Sequence, residues 1–467
     1  MTAIGFDDGN REVPGGIEGR VERVLVVGAG IAGLSVANAL AHAGVDCRVV
    51  EARGRIGGRL STANLAGSSV DLGGSWIHHP DGNPLREFAE SVGVECRPGN
   101  PLGALRAFDC VTGQWLSPGE LDTCMAAEPD GFAEALERLR TRLGPEASAV
   151  EGIDAYLAAT TLTGDELRRA RQGLLAHVEA DAAGAADEQS LRWLWTQDEG
   201  GGHYFGDLPE GGYASVVDAM AAGLDVRRDW PVARVDHSEQ GLVLTSASGE
   251  TETGSHVVVT VPLGVLKSGA PQFTPPLPAA QVEAMQRLGF GSYEKVALKF
   301  DEAFWRGAGW SHLVLFPPEA EDPACWVFDL DAFAGDPILV CHVFHSATAH
   351  LTGASSAAAG RWVTDMLAGA LGAPCPEPVA VAVTYWGDHP YTRGAYTHVP
   401  PGCSNADVDL LGTPVGGRLL FAGEHTQSAR LGYADGAMTS GIREAKRLLG
   451  TPAVELGRVA DGPRTEA

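Results

Sequence analysis

The sequence predicts an α/β fold, and three stretches near its N-terminal end lead there. Val24–Val27 is a short apolar run that stops at Gly28, Ile31–Ala43 carries apolar residues at helical spacing, and Cys47–Val50 is a second apolar run. Strand, helix and strand within about thirty residues make a β-α-β unit. The turn into the helix reads Gly28-Ala29-Gly30-Ile31-Ala32-Gly33. Glycines at that spacing serve a tight turn, a close backbone approach to a pyrophosphate, and close packing of helix on strand. Glu51 ends the second strand, where a carboxylate accepts hydrogen bonds from a ribose. The unit is therefore predicted to hold a dinucleotide.

Composition bounds the rest. The chain has 467 residues, of which 44% are apolar and 20% charged, the proportions of a globular protein of two or three domains. No apolar stretch approaches the roughly eighteen residues of a membrane span, and the polar, acidic start carries no secretory pattern, so a cytoplasmic location is expected. A formal charge of −26 argues against nucleic acid and anionic lipid as partners. The eight cysteines are scattered without a CxxC pair and are expected to be buried thiols. His78 and His79 are adjacent, so on a strand they point to opposite faces and cannot easily chelate one metal ion; no metal is expected.

Beyond the first unit, residues 120–225 read mainly helical, at 131–143, 165–180 and 213–224. Strands follow at 232–236, 242–246 and 256–261, and the proline-rich stretch 271–278 reads as a connector. Residues 293–300 form a strand with Val296, Leu298 and Phe300 on one face and Tyr293, Lys295, Ala297 and Lys299 on the other. Further strands are expected near 311–316, 325–330, 338–345 and 379–385, a helix over 355–371, and a last helix over 436–449.

Seven motifs spread over residues 22–450 resemble those of the flavin-containing amine oxidase family, which includes monoamine and polyamine oxidases. They are GAGIAGL, EARGRIGGR, DLGGSWIHHPDGNPL, VTVPLGVLK, FGSYEKVALKF, YWGDHPYTRGAY and LLFAGEHT…GYADGAMTSG. The resemblance implies a Rossmann-type FAD-binding domain with a discontinuous α+β substrate-binding domain. The first would comprise 21–95, 208–285 and 410–450, and the second 96–207 and 286–409. Residues 1–20 and 451–467 are expected to be flexible ends. Carried over by position, Gly28, Gly30, Ala32, Gly33, Glu51, Arg53, Arg59, Gly74, Ser75 and Trp76 would contact the cofactor. So would Val232 at the adenine, Trp386 beside the ring, Glu424 near the ribityl–pyrophosphate chain and Ala434 at the start of the last helix. Some family members attach flavin to a cysteine just before a tyrosine; here Ala395 precedes Tyr396, so non-covalent FAD is expected.

For the chemistry, the resemblance implies that Tyr396 and Tyr433 flank the substrate amine. Lys295 would hold a water beside the flavin's reactive nitrogen, and it is one of only four lysines against thirty arginines. His78 would stand at the mouth of the substrate channel, Trp386 would also meet substrate, and His79 is expected on the surface. Asp198 and Glu199 lie in an acidic segment that is read either as cation-binding or as an exposed loop. The implied reaction is oxidation of a primary or secondary amine, polyamine-like or alkyl, by hydride transfer to FAD. It would yield an imine and then an aldehyde, with molecular oxygen as acceptor and hydrogen peroxide as product. Partners would be the small amine and oxygen; a homodimer is left open. Two alternatives share the scaffold: an L-amino-acid or biosynthetic tailoring oxidase, needing a buried arginine from candidates such as Arg97, Arg106 and Arg192, and a non-catalytic partner-binding protein.

Overall fold

The computed structural model describes residues 4–7, 16–99, 104–125, 131–196, 201–202, 204–238 and 241–459. The predicted β-α-β unit is the centre of a five-stranded parallel sheet. Arg23–Val27 lies between Asp46–Val50 and His256–Val259, with Asp225–Arg227 and Leu419–Phe421 at the edges. Stretches separated by hundreds of residues therefore share one sheet. Both of its faces are covered, which is why its strands are unbroken apolar runs rather than alternating ones. Val24, Val26 and Val258 face the helices Ile31–His42 and Ala434–Leu449, while Leu25, Val27, Val257 and Val259 face the other side. The first and last helices touch at Gly441, where a Cβ would fall 2.3 Å from the Ala32 carbonyl oxygen.

A four-stranded sheet packs on that second face, in the order Thr251–Gly254, Leu242–Ser246, Val232–Asp236 and Gln272–Thr274. Its last strand corrects the expectation of a plain connector over 271–278. Gln272–Thr274 pairs in parallel with Arg234–Asp236 at the sheet edge, where flanking prolines break no ladder bond.

The third layer is a seven-stranded mixed sheet. From edge to edge it runs Ala380–Val383, Glu294–Lys299, Ile338–Val343, Cys325–Asp329, His312–Phe316, Leu105–Asp109 and Gln114–Trp115. Alternation sets its two faces. Val296, Leu298, Phe300, Val327 and Cys341 pack with the helix Ser356–Leu371, whereas Lys295, Trp326, Phe328 and His342 face a cavity. The helices Gly131–Leu143, Ala149–Leu157 and Gly164–Ala182 form their own apolar cluster beside it.

Parts of both chain ends, expected to be flexible, are instead tied down. Ile4–Asp7 pairs antiparallel with Ala453–Leu456, whose Val454 and Leu456 are buried. The buried Asn38 side chain holds the next residue from both sides: Nδ2 donates to the Gly457 carbonyl at 2.8 Å, and Oδ1 accepts from its N–H at 3.1 Å. A four-residue alternation is too short to read as a strand without that partner. All eight cysteines are free thiols, four buried and four half-buried. Among the described residues, no helix is long and apolar enough to cross a membrane.

Candidate active site

Between the three sheets lies a cavity of about 480 Å³, lined by both the N-terminal turn and the C-terminal motif. In one half the walls are largely backbone. Gly28 takes φ +108°, and a Cβ there would meet Thr260 Oγ1 at 2.6 Å; a Cβ on Gly33 would sit 2.0 Å from the Gly28 carbonyl oxygen. Both glycines are thus required by the protein's own packing. Gly30 is different, because nothing in the protein lies within 4 Å of where its Cβ would stand. Its Cβ position opens on the cavity, where it would take space from a ligand. Gly30 is also the N-cap of Ile31–His42 and makes no side-chain cap, so the helix's first N–H groups remain open to an anion. The last helix repeats the arrangement: Tyr433 is its N-cap, again without a side-chain cap, and Ala434 lines the cavity. Two uncapped helix starts and a carboxylate at the end of a strand fit the pyrophosphate, ribose and ring edge of FAD.

Glu51 is buried and oriented by two backbone donors, Ala29 N–H at 2.8 Å and Arg53 N–H at 2.9 Å. Burial raises its pKa, and those two bonds oppose the rise. Ala32, Arg53, Arg59, Gly74, Ser75, Trp76, Val232, Trp386 and Glu424 line the same cavity. Gly33 does not; its role is the close packing against Gly28. The two distant motifs are joined by an ion pair: Arg59 Nη1 lies 2.8 Å from Glu424 Oε1 and donates to the Ala395 carbonyl at 2.7 Å. Thr397 Oγ1 also donates to Glu424 at 3.2 Å. Among the described residues no cysteine lines the cavity, and Ala395 does.

Lys295 stands where the two halves meet. Its Nζ donates to the Gly73 carbonyl at 2.6 Å, Ser75 Oγ at 2.5 Å and the Asp71 carbonyl at 3.2 Å, and lies 5.7 Å from the Trp76 ring centroid. Burial pulls its pKa down to about 8, with the Asp71 charge acting against the fall.

The other half is aromatic. Tyr396 and Tyr433 both line it, and Gly432 lets them come together: with φ +83°, its Cβ would stand only 3.3 Å from the Tyr396 ring. Both phenols are anchored at the end of the helix Gly164–Ala182, Tyr396 donating to the Ala180 carbonyl and Tyr433 to Asp181 Oδ1 at 3.4 Å. His78 Nδ1 donates to the Tyr204 carbonyl at 2.5 Å, and its ring meets Tyr433 edge-on at 5.5 Å. Burial pushes the His78 pKa down to about 4, so the ring is neutral at pH 7. His79, expected at the surface, is buried with φ +49°. That backbone turn puts both histidines inside, which strand alternation did not foresee. Asp198 and Glu199 lie outside the described residues. Arg97, Arg106 and Arg192 do not line the cavity; Arg97 pairs with Glu210, and the other two lie over Trp115 and Trp193.

Sequence reasoning missed several walls of this half: Asp181, Tyr204, Phe205, Trp326, Phe328 and His342. Trp326 and Phe328 carried a signal, since two bulky aromatics two apart on a predicted strand share a face. Asp181 carried another, as an acid in the last turn of a helix with no basic residue beside it, against the helix dipole.

Comparison with known proteins gives the family. The sequence model of the family described as flavin containing amine oxidoreductase matches residues 31–449. Lysine-specific histone demethylase 1 homolog 2 of Oryza sativa subsp. japonica is 34% identical over 443 residues, covering 91% of this chain and 57% of that protein. Probable polyamine oxidase 4 of Arabidopsis thaliana is 32% identical over 439 residues, covering 90% of this chain and 85% of that one. The chain spans only part of the demethylase homologues, falling to 30% of homolog 3 from Arabidopsis thaliana. A double mutant of putrescine oxidase with redesigned cofactor binding has the same fold, with a TM-score of 0.75 over 92% of this chain and 99% of its own at 22% identity. The chain belongs to the flavin-containing amine oxidoreductase family, and its cofactor is FAD.

Proposed function

We propose that this protein oxidises small primary or secondary amines, using molecular oxygen as the final acceptor. The observation that carries the reading is that Tyr396, Tyr433 and Lys295 line one cavity with the dinucleotide turn. Bound FAD supplies the two-electron acceptor for the C–H bond beside nitrogen. The chain's own residues do the rest. Tyr396 and Tyr433, each held by its hydroxyl, confine the amine and stabilise positive charge at the reacting carbon. Burial raises both phenol pKa values well above the ordinary value, so both stay neutral. Trp76, Trp386 and the neutral His78 line the same cavity. Lys295, with a pKa near neutrality, holds and exchanges a proton at Nζ beside Ser75. The net reaction of a primary amine with oxygen and water gives aldehyde, ammonia and hydrogen peroxide.

Ala395 in place of a thiol supports non-covalent FAD. Acid precipitation is expected to leave all yellow colour in the supernatant; colour in the pellet would contradict it. The amino-acid alternative loses support because none of its three candidate arginines lines the cavity. The relatives' names, polyamine oxidase and histone demethylase, set the substrate screen. Peroxide release is measured with butylamine, benzylamine, 1,4-diaminobutane, spermidine, a methyl-lysine peptide and L-amino acids. Turnover of free amines is expected; turnover of L-amino acids alone, or of the peptide alone, overturns the proposal.

A further inference from the structure

We infer that His342 selects the substrate by donating a hydrogen bond from Nε2 to a neutral oxygen at the end away from the reacting amine. Amines whose far end carries a hydroxyl are then preferred over the same amines without it. The inference rests on the amine-oxidase reading above and names a specificity-determining residue within it.

Strand pairing sets His342 beside Lys295 on one side and Trp326 on the other, with its ring on the cavity wall. The residue is 2% exposed, and its ring is packed by Phe328 at 4.6 Å and Trp76 at 5.5 Å. Its Nδ1 is taken by the Tyr293 hydroxyl. Burial raises the Tyr293 pKa well above the ordinary value, so the phenol keeps its proton. Among the described residues Nδ1 is the one acceptor that proton meets, and a buried hydroxyl left unpaired is costly. Tyr293 therefore donates to Nδ1, which places the proton of a neutral imidazole on Nε2. Burial, and after it the Lys295 charge, holds the His342 pKa well below its ordinary value, so the ring stays neutral. Among the described residues Nε2–H has no partner in the protein. A buried donor that faces a cavity in this state destabilises the fold unless a ligand brings the acceptor.

His312, two strands further across the same sheet, is the contrast. It is equally buried with both ring nitrogens unpartnered, but it stacks on Phe328 at 4.5 Å and does not line the cavity. His342 differs in having one nitrogen held and the other turned to the chamber. Its place relative to the chemistry follows from ring contacts. Tyr396 flanks the reacting amine, Tyr293 lies 6.0 Å from Tyr396, and His342 lies 5.6 Å from Tyr293. Nε2–H therefore stands two ring steps from the amine, and Trp76, Phe205, Trp326 and Phe328 suit a flat apolar body between the two. An ammonium has no lone pair for an N–H donor, whereas a hydroxyl oxygen has two.

The test compares kcat/KM for phenethylamine with that for its 3-hydroxy and 4-hydroxy derivatives in the FAD-loaded enzyme, in His342→Asn and in His342→Gln. In wild type the better hydroxylated amine is expected to exceed phenethylamine about tenfold or more, a ratio that needs no variant to fold. His342→Asn keeps an acceptor for Tyr293 but stops short of Nε2, so the ratio should fall to about one. His342→Gln extends an N–H donor as far as Nε2 and should keep part of the preference, a rescue that a merely structural role would not give. The inference falls, and amine oxidation stands, if wild type shows no preference for either hydroxylated amine or oxidises other amines but none of these three. It falls equally if the preference survives in His342→Asn or is lost to the same extent in His342→Gln. If wild type oxidises no amine at all, both readings fall together.

Discussion

The cofactor half of the cavity is walled mainly by glycine backbone and helix starts, and the substrate half by large side chains from several strands and a helix end. In the first, Gly28, Gly30, Gly73, Gly74 and Gly423 bring main chain to the ligand; in the second, Trp76, Tyr204, Trp326, Phe328, Tyr396 and Tyr433 present rings. Backbone walls place N–H groups accurately but tolerate no added atom. Side-chain walls tolerate exchange and thereby set specificity. The N-terminal and C-terminal motifs that wall the first half are tied together by Arg59, which reaches both Glu424 and the Ala395 carbonyl.

The largest expected effect is at that joint. Arg59→Ala would leave the buried Glu424 carboxylate without its cation and the Ala395 carbonyl without its donor. Removing one member of a buried pair costs about 3 kcal/mol or more. Urea unfolding of the holoenzyme should show a loss of that size; a loss within about 0.5 kcal/mol would mean that the two motifs hold together without the pair. Glycine substitutions come next and separate packing from ligand space. Gly33→Ala drives a Cβ into the Gly28 carbonyl and should cost about 1–3 kcal/mol by overpacking even without FAD. Gly30→Ala meets no protein atom and keeps an ordinary φ of −77°. It should leave FAD-free stability within about 0.5 kcal/mol yet weaken FAD binding about tenfold or more. Equal effects of the two on the FAD-free protein would erase the distinction between the two glycines.

The same contrast explains what was legible in the sequence. The cofactor half is written in consecutive residues, because a turn, a helix start and a strand end must follow one another; GAGIAGL and Glu51 could be read directly. Tyr396, Tyr433 and Lys295 were legible through their motifs, and Tyr293 through its two-residue spacing from Lys295. The rest of the chamber depends on which strands become neighbours. His342 faces Lys295 only because Ile338–Val343 pairs with Glu294–Lys299 in that register, and Asp181 lines the cavity only because its helix ends beside Tyr433. The burial of His79 depends on a positive φ that no spacing announces. The ordered strand at the tail likewise needed Ile4–Asp7 as a partner from the other end of the chain.

Lys295 lies between the halves and gives the smallest but most specific expected effect. In the unfolded chain its ammonium titrates near 10.5, and in the fold burial lowers this to about 8. Between those values the unfolded state binds more protons, so stability contributed through this group rises with pH from about 8 to 10.5, and the burial cost is fully present below 8. Lys295→Met removes the titration, so the stability of wild type relative to the variant should improve steadily as pH rises through that window. A constant difference in urea midpoints across it would show that Nζ does not titrate there. Function has a matching signature. If the proton at Nζ assists the reaction of reduced enzyme with oxygen, that step should slow about tenfold in Lys295→Met, equivalent to about 1.4 kcal/mol, while reduction by substrate changes much less. The wild-type rate with oxygen should fall as pH passes 8, and the variant's should not. A variant that keeps both the rate and the inflection would assign the proton to another group and reduce Lys295 to a buried tie between Ser75 and Gly73.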